Sequence, residues 1–138
     1  MRLHILACGK AGRSPEAALT ERYLARIAWE TRLTELGSPP VLPPPPPGSR
    51  TVVLDRRGSA LSSEALAGRL ARWRDTGVRE ARFLIGPADG WSEEVAAGAD
   101  LLLAFGPATW PHLLVRAMLA EQLFRATAIL AGHPYHRA

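Results

Sequence analysis

Short apolar runs recur along this chain and are separated by segments of helical character. Four of them lie at residues 2–8, 51–55, 80–85 and 100–105. Each run is too short for a core helix, and near-continuous apolar character is typical of a strand buried on both faces of a parallel sheet. A further strand is predicted at residues 31–36, which gives five strands in all.

Helices are predicted between these strands, because serine and proline mark helix starts at suitable positions. The predicted helices run from Pro15 to about Trp29, from Ser62 or Ser63 to Thr76, over a short stretch after Ser92, and from Pro111 to about Leu130. Alternating strands and helices predict an α/β fold, a single domain with a mostly parallel sheet flanked by helices. The last helix is apolar nearly all round, and a second buried face indicates a subunit interface and hence a homodimer.

One domain is expected over residues 1–138, since this length suffices for one hydrophobic core. Its unusual part is the proline-rich segment 38–49, in which residues 43–47 are consecutive prolines. Consecutive prolines adopt polyproline II. We interpret the segment as a stiff surface connector in preference to a ligand for an aromatic-grooved adaptor domain. After the next strand, the sequence Arg56-Arg57-Gly58 predicts a turn.

The composition indicates an anionic partner, with a net charge of +4 and an isoelectric point near 10.2. Lys10 is the only lysine, and arginine suits RNA because its fork binds phosphate and stacks on bases. A GC-rich coding bias explains the same arginine content equally well. Cys8 is the single cysteine, so no disulfide framework or thiolate metal site is expected. Without a membrane span or a secretory signal, we expect a cytoplasmic protein.

Two predicted strands lead into Gly/Pro loops, and open α/β sheets bind ligands beyond the carboxyl ends of their strands. The loop Gly86–Gly90 is either a simple turn or a cofactor-binding loop, and it lacks the dinucleotide and P-loop signatures. The loop Phe105–Trp110 offers backbone groups and an aromatic ring to an adenine. Alternatively, it is a connector with Trp110 packed in the core.

His112 and Arg116 lie one turn apart at the start of the last helix, so they share a face and are candidate RNA contacts. Arg116 can hold an RNA phosphate or a cofactor carboxylate there. An ion pair with an aspartate or glutamate is an equal alternative. The histidines of the tail, His133 and His136, have no cysteine or carboxylate beside them in the sequence, so no metal site is predicted.

Three motifs resemble the RlmH family of SPOUT-superfamily methyltransferases. They are Leu-Ile-Gly-x-x-x-Gly from Leu84, Thr-Trp-Pro-His-x-x-x-Arg from Thr109, and the terminal His-Pro-Tyr-His-Arg from His133. The likeness covers most of the chain and is specific from Glu80 onward. It implies a SPOUT-type fold with a trefoil knot formed by the C-terminal segment.

The resemblance also implies functional residues. The S-adenosylmethionine-binding positions are Leu54, Gly86, Phe105, Gly106, Pro107, Ala108, Thr109 and Trp110. Pro87 replaces the second of two adjacent glycines in the family and removes an N–H from this loop. The tail is expected at the active site, where Tyr135 and His136 stack on or hydrogen-bond a flipped base and Arg137 binds phosphate.

The implied reaction is methyl transfer from S-adenosylmethionine to N3 of a pseudouridine in large-subunit (23S) ribosomal RNA. The substrate is the ribosomal RNA or the assembled ribosome. N3 must lose its proton, and His136 is expected to position or deprotonate the base, from its own or from the partner subunit. Two alternatives remain, a non-catalytic relative that binds RNA or ribosomes and another nucleotide-binding α/β transferase that uses the same loops.

Overall fold

A computed structural model describes residues 1–137; residue 138, which ends the single domain expected from the sequence, lies outside the described residues. Within that range, five strands and four helices follow one another along the chain. Their bounds are β1 Arg2–Cys8, α1 Pro15–Arg26, β2 Thr31–Leu36, β3 Ser49–Ser59, α2 Ser63–Asp75, β4 Glu80–Ile85, α3 Glu93–Ala97, β5 Leu101–Leu103 and α4 His112–Leu130.

The strands form one sheet in the order β2-β1-β4-β3-β5. Every neighbouring pair is parallel, which confirms the predicted α/β class. Because all strands run the same way, their carboxyl ends meet at one edge, where the loops that follow β4 and β5 flank residues 54–57 of β3.

Side chains alternate across this sheet, and both faces are covered. Phe83 of β4 belongs to the larger cluster, with Leu119 and Leu123 of α4. Leu84, the next residue along β4, belongs to the smaller cluster on the opposite face, with Trp91 packed against it. Two covered faces explain why the strands read as continuous apolar runs.

Serine caps begin three of the helices as predicted. The side-chain oxygens of Ser14, Ser62 and Ser92 accept hydrogen bonds from the backbone N–H three residues on, at 3.1, 3.0 and 3.2 Å. Helix α1 ends at Arg26, before the predicted Trp29, because Ile27 turns to an extended conformation and buries its side chain.

The predicted turn at Arg56-Arg57-Gly58 is wrong, since β3 continues through it to Ser59. The pairing with β5 shifts register between Leu54 and Ser59. Gly58 permits this irregular pairing, because a Cβ built on it would lie 2.6 Å from the backbone carbon and oxygen of Leu102. The last strand is shorter than predicted and ends at Leu103.

The proline-rich segment is held against the sheet. The Pro43 carbonyl accepts a hydrogen bond of 2.7 Å from the buried Arg82 guanidinium, and Leu42 packs on the smaller apolar cluster. The Ser38-Pro39 peptide bond is cis.

Helix α4 owes its apolar surface largely to contacts within the protomer, because it packs against α1, α2 and the sheet. Leu113, Leu114 and Met118 are the large apolar side chains near its start that stay half-buried. The homodimer and the knot both stay predictions. In residues 1–137, no helix combines the length and the apolar character that a membrane crossing needs.

Candidate active site

A cavity of about 710 Å³ opens where β4 and β5 end, beside the second half of β3. Its walls include residues 54–57 of β3, residues 85–91 from the last residue of β4 onward, and most of residues 104–112 between β5 and the start of α4. This volume lies within the range of small-molecule and cofactor sites. The parallel sheet therefore brings three separate parts of the sequence to one concave surface.

Seven of the eight residues predicted to bind a cofactor line this cavity. They are Leu54, Gly86, Phe105, Gly106, Ala108, Thr109 and Trp110. The eighth, Pro107, is exposed in the same loop but is not part of the wall. The residues are thus brought together, while their contact with a cofactor stays a prediction.

Gly86 is required by its neighbour Trp91. A Cβ built on Gly86 would lie 2.7 Å from both Cδ1 and Nε1 of the Trp91 indole, closer than real side chains approach. The Trp91 Nε1–H is buried and has no hydrogen-bond acceptor in the part of the chain that is described. Sequence motifs do not identify Trp91, because its importance arises from packing across the loop.

Trp110 lies on the cavity wall with 42% of its surface exposed, so it is not the core residue that the connector alternative requires. Its indole N–H donates to the Phe105 carbonyl at 3.2 Å, which folds the loop back on itself. Gly106 allows this turn because its φ of 89° lies in the left-handed region. The exposed ring is available for stacking.

Charged side chains form one rim of the cavity. Arg57 donates to both oxygens of Asp55 at 3.0 and 2.8 Å, and to Glu93 at 2.9 Å. These donors lower the pKa of Asp55. The lining holds three carboxylates, with Asp89 the third, and two arginines, with Arg56 the second, so it favours a cationic ligand.

His112 and Arg116 have different environments although they are one turn apart. His112 is exposed and lines the cavity. Arg116 is only 1% exposed, with Nη1 lying 2.6 Å from Glu35 and Nη2 donating to the Cys8 and Gly9 carbonyls. The ion pair left open by the sequence is therefore the one formed, and Arg116 presents no surface to a phosphate.

The C-terminal tail folds onto its own helices. Tyr135 packs edge-on against Phe124, with ring centroids 4.6 Å apart, and its hydroxyl donates to Glu121 at 3.2 Å. Burial, a hydrogen bond with Tyr23 and the charge of Glu121 raise the pKa of Tyr135 to about 12.

His136 has a partner at each ring nitrogen. Arg125 Nη1 lies 3.1 Å from Nδ1, and Glu64 Oε1 lies 2.5 Å from Nε2. Arginine can only donate, so Nδ1 accepts and the proton is on Nε2. Tyr135, His136 and Arg137 do not line the cavity of their own chain. No group of three metal-ligating side chains converges within residues 1–137.

Comparison with known proteins gives consistent matches. The family model described as "Predicted SPOUT methyltransferase" matches residues 38–136. Curated relatives named "Ribosomal RNA large subunit methyltransferase H" include one from Rhizorhabdus wittichii, 63% identical over 138 residues, and one from Novosphingobium aromaticivorans, 61% identical over 141 residues. Each alignment covers 99% of both chains. A relative of the same name from Rhodospirillum centenum is 50% identical over the full length of both chains.

Proposed function

Since this chain belongs to the SPOUT methyltransferase family, we propose that it transfers a methyl group from S-adenosylmethionine to N3 of a pseudouridine in large-subunit ribosomal RNA. Relatives matched along their whole length carry a ribosomal RNA methyltransferase name. One observation carries the proposal: residues 54–57 of β3 and the loops after β4 and β5 converge on a cavity lined by seven of the residues that the resemblance assigns to cofactor binding.

The residues present fit S-adenosylmethionine. The lining's excess of carboxylates over arginines complements a positively charged sulfur. The buried Trp91 N–H has no acceptor among the described residues, and a bound ligand can supply one. Backbone groups of the loop from Phe105 to Trp110 suit an adenine, since main-chain groups read its edge without a dedicated side chain.

When bound, S-adenosylmethionine supplies a methyl group already activated by its positive sulfur, so the chain mainly contributes alignment and exclusion of water. Leu54 within β3 and Phe105 just after β5 provide apolar wall. Pro87 contributes no N–H, but its carbonyl accepts from Gly90 at 2.8 Å and closes the loop. The loop therefore keeps a defined shape despite the missing donor.

The substrate base approaches the exposed side of the cavity, where Trp110 offers a face for stacking. His112 and the unpaired rim cation Arg56 lie at the same opening within the part of the chain described. Tyr135, His136 and Arg137 pack away from the cavity of their own chain. Their proposed contact with the base therefore requires either the tail of a second protomer, in a homodimer, or release of the tail from α4.

The test is transfer of tritiated methyl from S-adenosylmethionine to purified ribosomes, followed by mapping of the modified base. We expect incorporation at N3 of a single pseudouridine. Ribosome binding without incorporation would instead identify a non-catalytic relative. Tight binding of ATP or NAD in calorimetry, with none of S-adenosylmethionine, would identify another nucleotide-binding transferase.

Two substitutions in one loop localise the cofactor. Ala108 lines the cavity, whereas its neighbour Pro107 is exposed and does not. Ala108→Trp should weaken S-adenosylmethionine binding about tenfold or more by filling the cavity, and Pro107→Trp should leave it within about twofold. Equal effects of the two would place the cofactor elsewhere.

The tail is tested by His136→Ala in single-turnover methylation. We expect a large loss of rate with cofactor binding intact. Full single-turnover rate in this variant would remove His136 from the reaction.

A further inference from the structure

Methylation at N3 requires a group that takes the N3 proton, and the tail of this chain does not present one. Both nitrogens of His136 are engaged, by Arg125 and by Glu64, and the residue lies outside the cavity. A nitrogen that already accepts from arginine has no free lone pair for a proton. Within one protomer, the side chains that line the cavity are therefore the candidates for the acceptor, and a tail supplied by a second protomer can position the base.

The other titratable side chains of the lining are poor acceptors. Both carboxylate oxygens of Asp55 accept hydrogen bonds from Arg57. These bonds lower the pKa of the Asp55 carboxyl and make it a weak base. Glu93 is bound by the same guanidinium. Carboxylates as a class, Asp89 included, are much weaker bases than imidazole, and Arg56 cannot accept a proton at all.

His112 is the histidine of the lining, and nothing within the described residues occupies its ring nitrogens. Imidazole loses and gains its proton near neutral pH, which suits it to general-base catalysis. It is the first residue of α4, two residues beyond the exposed Trp110 ring. A base that stacks on Trp110 is thus brought to the part of the wall that carries this imidazole.

His112 lies beside a segment of backbone that Arg116 holds in place. A Cβ built on Gly9 would lie 3.8 Å from Cε1 of His112, so the ring stands beside the backbone at Gly9. Arg116 holds that backbone through the Cys8 and Gly9 carbonyls, at 3.2 and 2.8 Å. Glu35 binds both Arg116, at 2.6 Å, and the Ala11 N–H, at 2.8 Å.

We propose that His112 is the catalytic proton acceptor and that Arg116 is its positioning residue, which rests on the proposed function. As the bond from N3 to the methyl carbon forms, the bond from that carbon to sulfur breaks, and sulfur keeps the electron pair. The N3 proton passes to a ring nitrogen of His112 and from there to water. The positive charge of the sulfonium thus leaves the site as a proton.

The experiment compares His112→Ala and His112→Gln with Glu21→Ala, a change at an exposed residue of α1 outside the cavity and the tail. We expect the two His112 variants to lower kcat for ribosome methylation by about 10²- to 10⁴-fold. KM for ribosomes and the calorimetric Kd for S-adenosylmethionine should stay within about twofold. The Glu21 variant should match the wild type.

Two further readouts separate proton transfer from a structural role. The kcat of His112→Ala should depend more steeply on pH than that of the wild type, because hydroxide must replace the imidazole as proton acceptor. Added imidazole should restore part of the rate of His112→Ala and none of the rate of Arg116→Met. Charged groups that line the same cavity and enter this profile are Asp55, Arg56, Arg57, Asp89 and Glu93.

The outcomes are distinct. A higher KM with unchanged kcat would make His112 an RNA contact only and overturn the inference. An active wild type beside equally active His112 variants would also overturn it, with the proposed function intact. A wild type that incorporates no methyl into ribosomes would overturn the proposed function first, and the inference with it.

Discussion

The Arg116 guanidinium lies 2.6 Å from the Glu35 carboxylate and joins the start of α4 to the end of β2. Arg116 is 1% exposed, whereas the Glu35 side chain keeps 38% of its surface in solvent. The pair is therefore asymmetric: the cation depends on its protein partners, while the anion is partly hydrated. Because the same guanidinium binds the β1 carboxyl end, it connects three elements beneath the cavity.

Replacing Arg116 by methionine should lower the free energy of unfolding by about 2–3 kcal/mol. The Cys8 and Gly9 carbonyls lose their donor, and Glu35 loses its partner. Urea unfolding followed by circular dichroism measures the change. The exposed Arg13 provides the control, since Arg13→Met should shift stability by less than about 0.5 kcal/mol. Equal effects of the two would mean that burial of Arg116 adds nothing.

The same pair predicts a pH dependence. Hydrogen bonds from Arg116 and from the Ala11 N–H hold the pKa of Glu35 below its ordinary 4.5. A carboxyl with a lowered folded-state pKa stabilises the fold above its unfolded pKa, and this contribution disappears as pH falls through the folded value. The stability difference between wild type and Glu35→Gln should thus be constant above about pH 5 and shrink below it. A difference that grows in acid would contradict this sign.

Two glycines with different surroundings should respond oppositely to alanine. Gly58→Ala should destabilise by about 1–3 kcal/mol, because its Cβ would lie 2.6 Å from Leu102 backbone atoms that cannot move aside cheaply. Gly68 lies in α2 with nothing within 4 Å of an added Cβ. Gly68→Ala should therefore stabilise by about 0.5–1 kcal/mol. Thermal and urea unfolding of both variants provide the comparison.

Trp91→Phe removes a buried N–H that has no acceptor within residues 1–137. Loss of an unsatisfied donor should leave the free energy of unfolding unchanged or raise it by up to about 1 kcal/mol. The proposed cofactor, S-adenosylmethionine, should bind about tenfold more weakly, because the hydrogen bond proposed from this N–H is removed. Calorimetry measures the affinity, and an unchanged Kd would show that this N–H does not contact the cofactor.

Ionisation of Tyr135 should lower the free energy of unfolding at alkaline pH. Burial, the Tyr23 hydrogen bond and Glu121 raise its pKa from 10.0 to about 12. The neutral phenol is favoured in the folded state, so its contribution is complete below pH 10 and is lost as pH rises through the folded value. The stability advantage of wild type over Tyr135→Phe should therefore fall between pH 10 and 12. An advantage that holds constant across this window would refute the shift.

Local sequence determined which helices and strands form. Ser14, Ser62 and Ser92 predict helix starts correctly, because a serine oxygen satisfies an N–H only three residues away. Strand positions also follow from sequence, since a strand covered on both faces needs an apolar run. Family motifs further identify seven residues that line the cavity, although they neither show which wall each one occupies nor exclude Pro107.

Tertiary structure decided the features that depend on contacts between distant parts of the chain. Gly58 predicts a turn by its local sequence, but the approach of Leu102 keeps it in β3. Arg116 becomes a buried ion pair only because the parallel sheet brings Glu35 beside it. Trp91 is placed against Gly86 by the fold of the loop. Sequence patterns reflect local conformational preferences and burial. Which residue pairs with a charged side chain or packs against an aromatic ring depends on which strands and loops the fold makes neighbours.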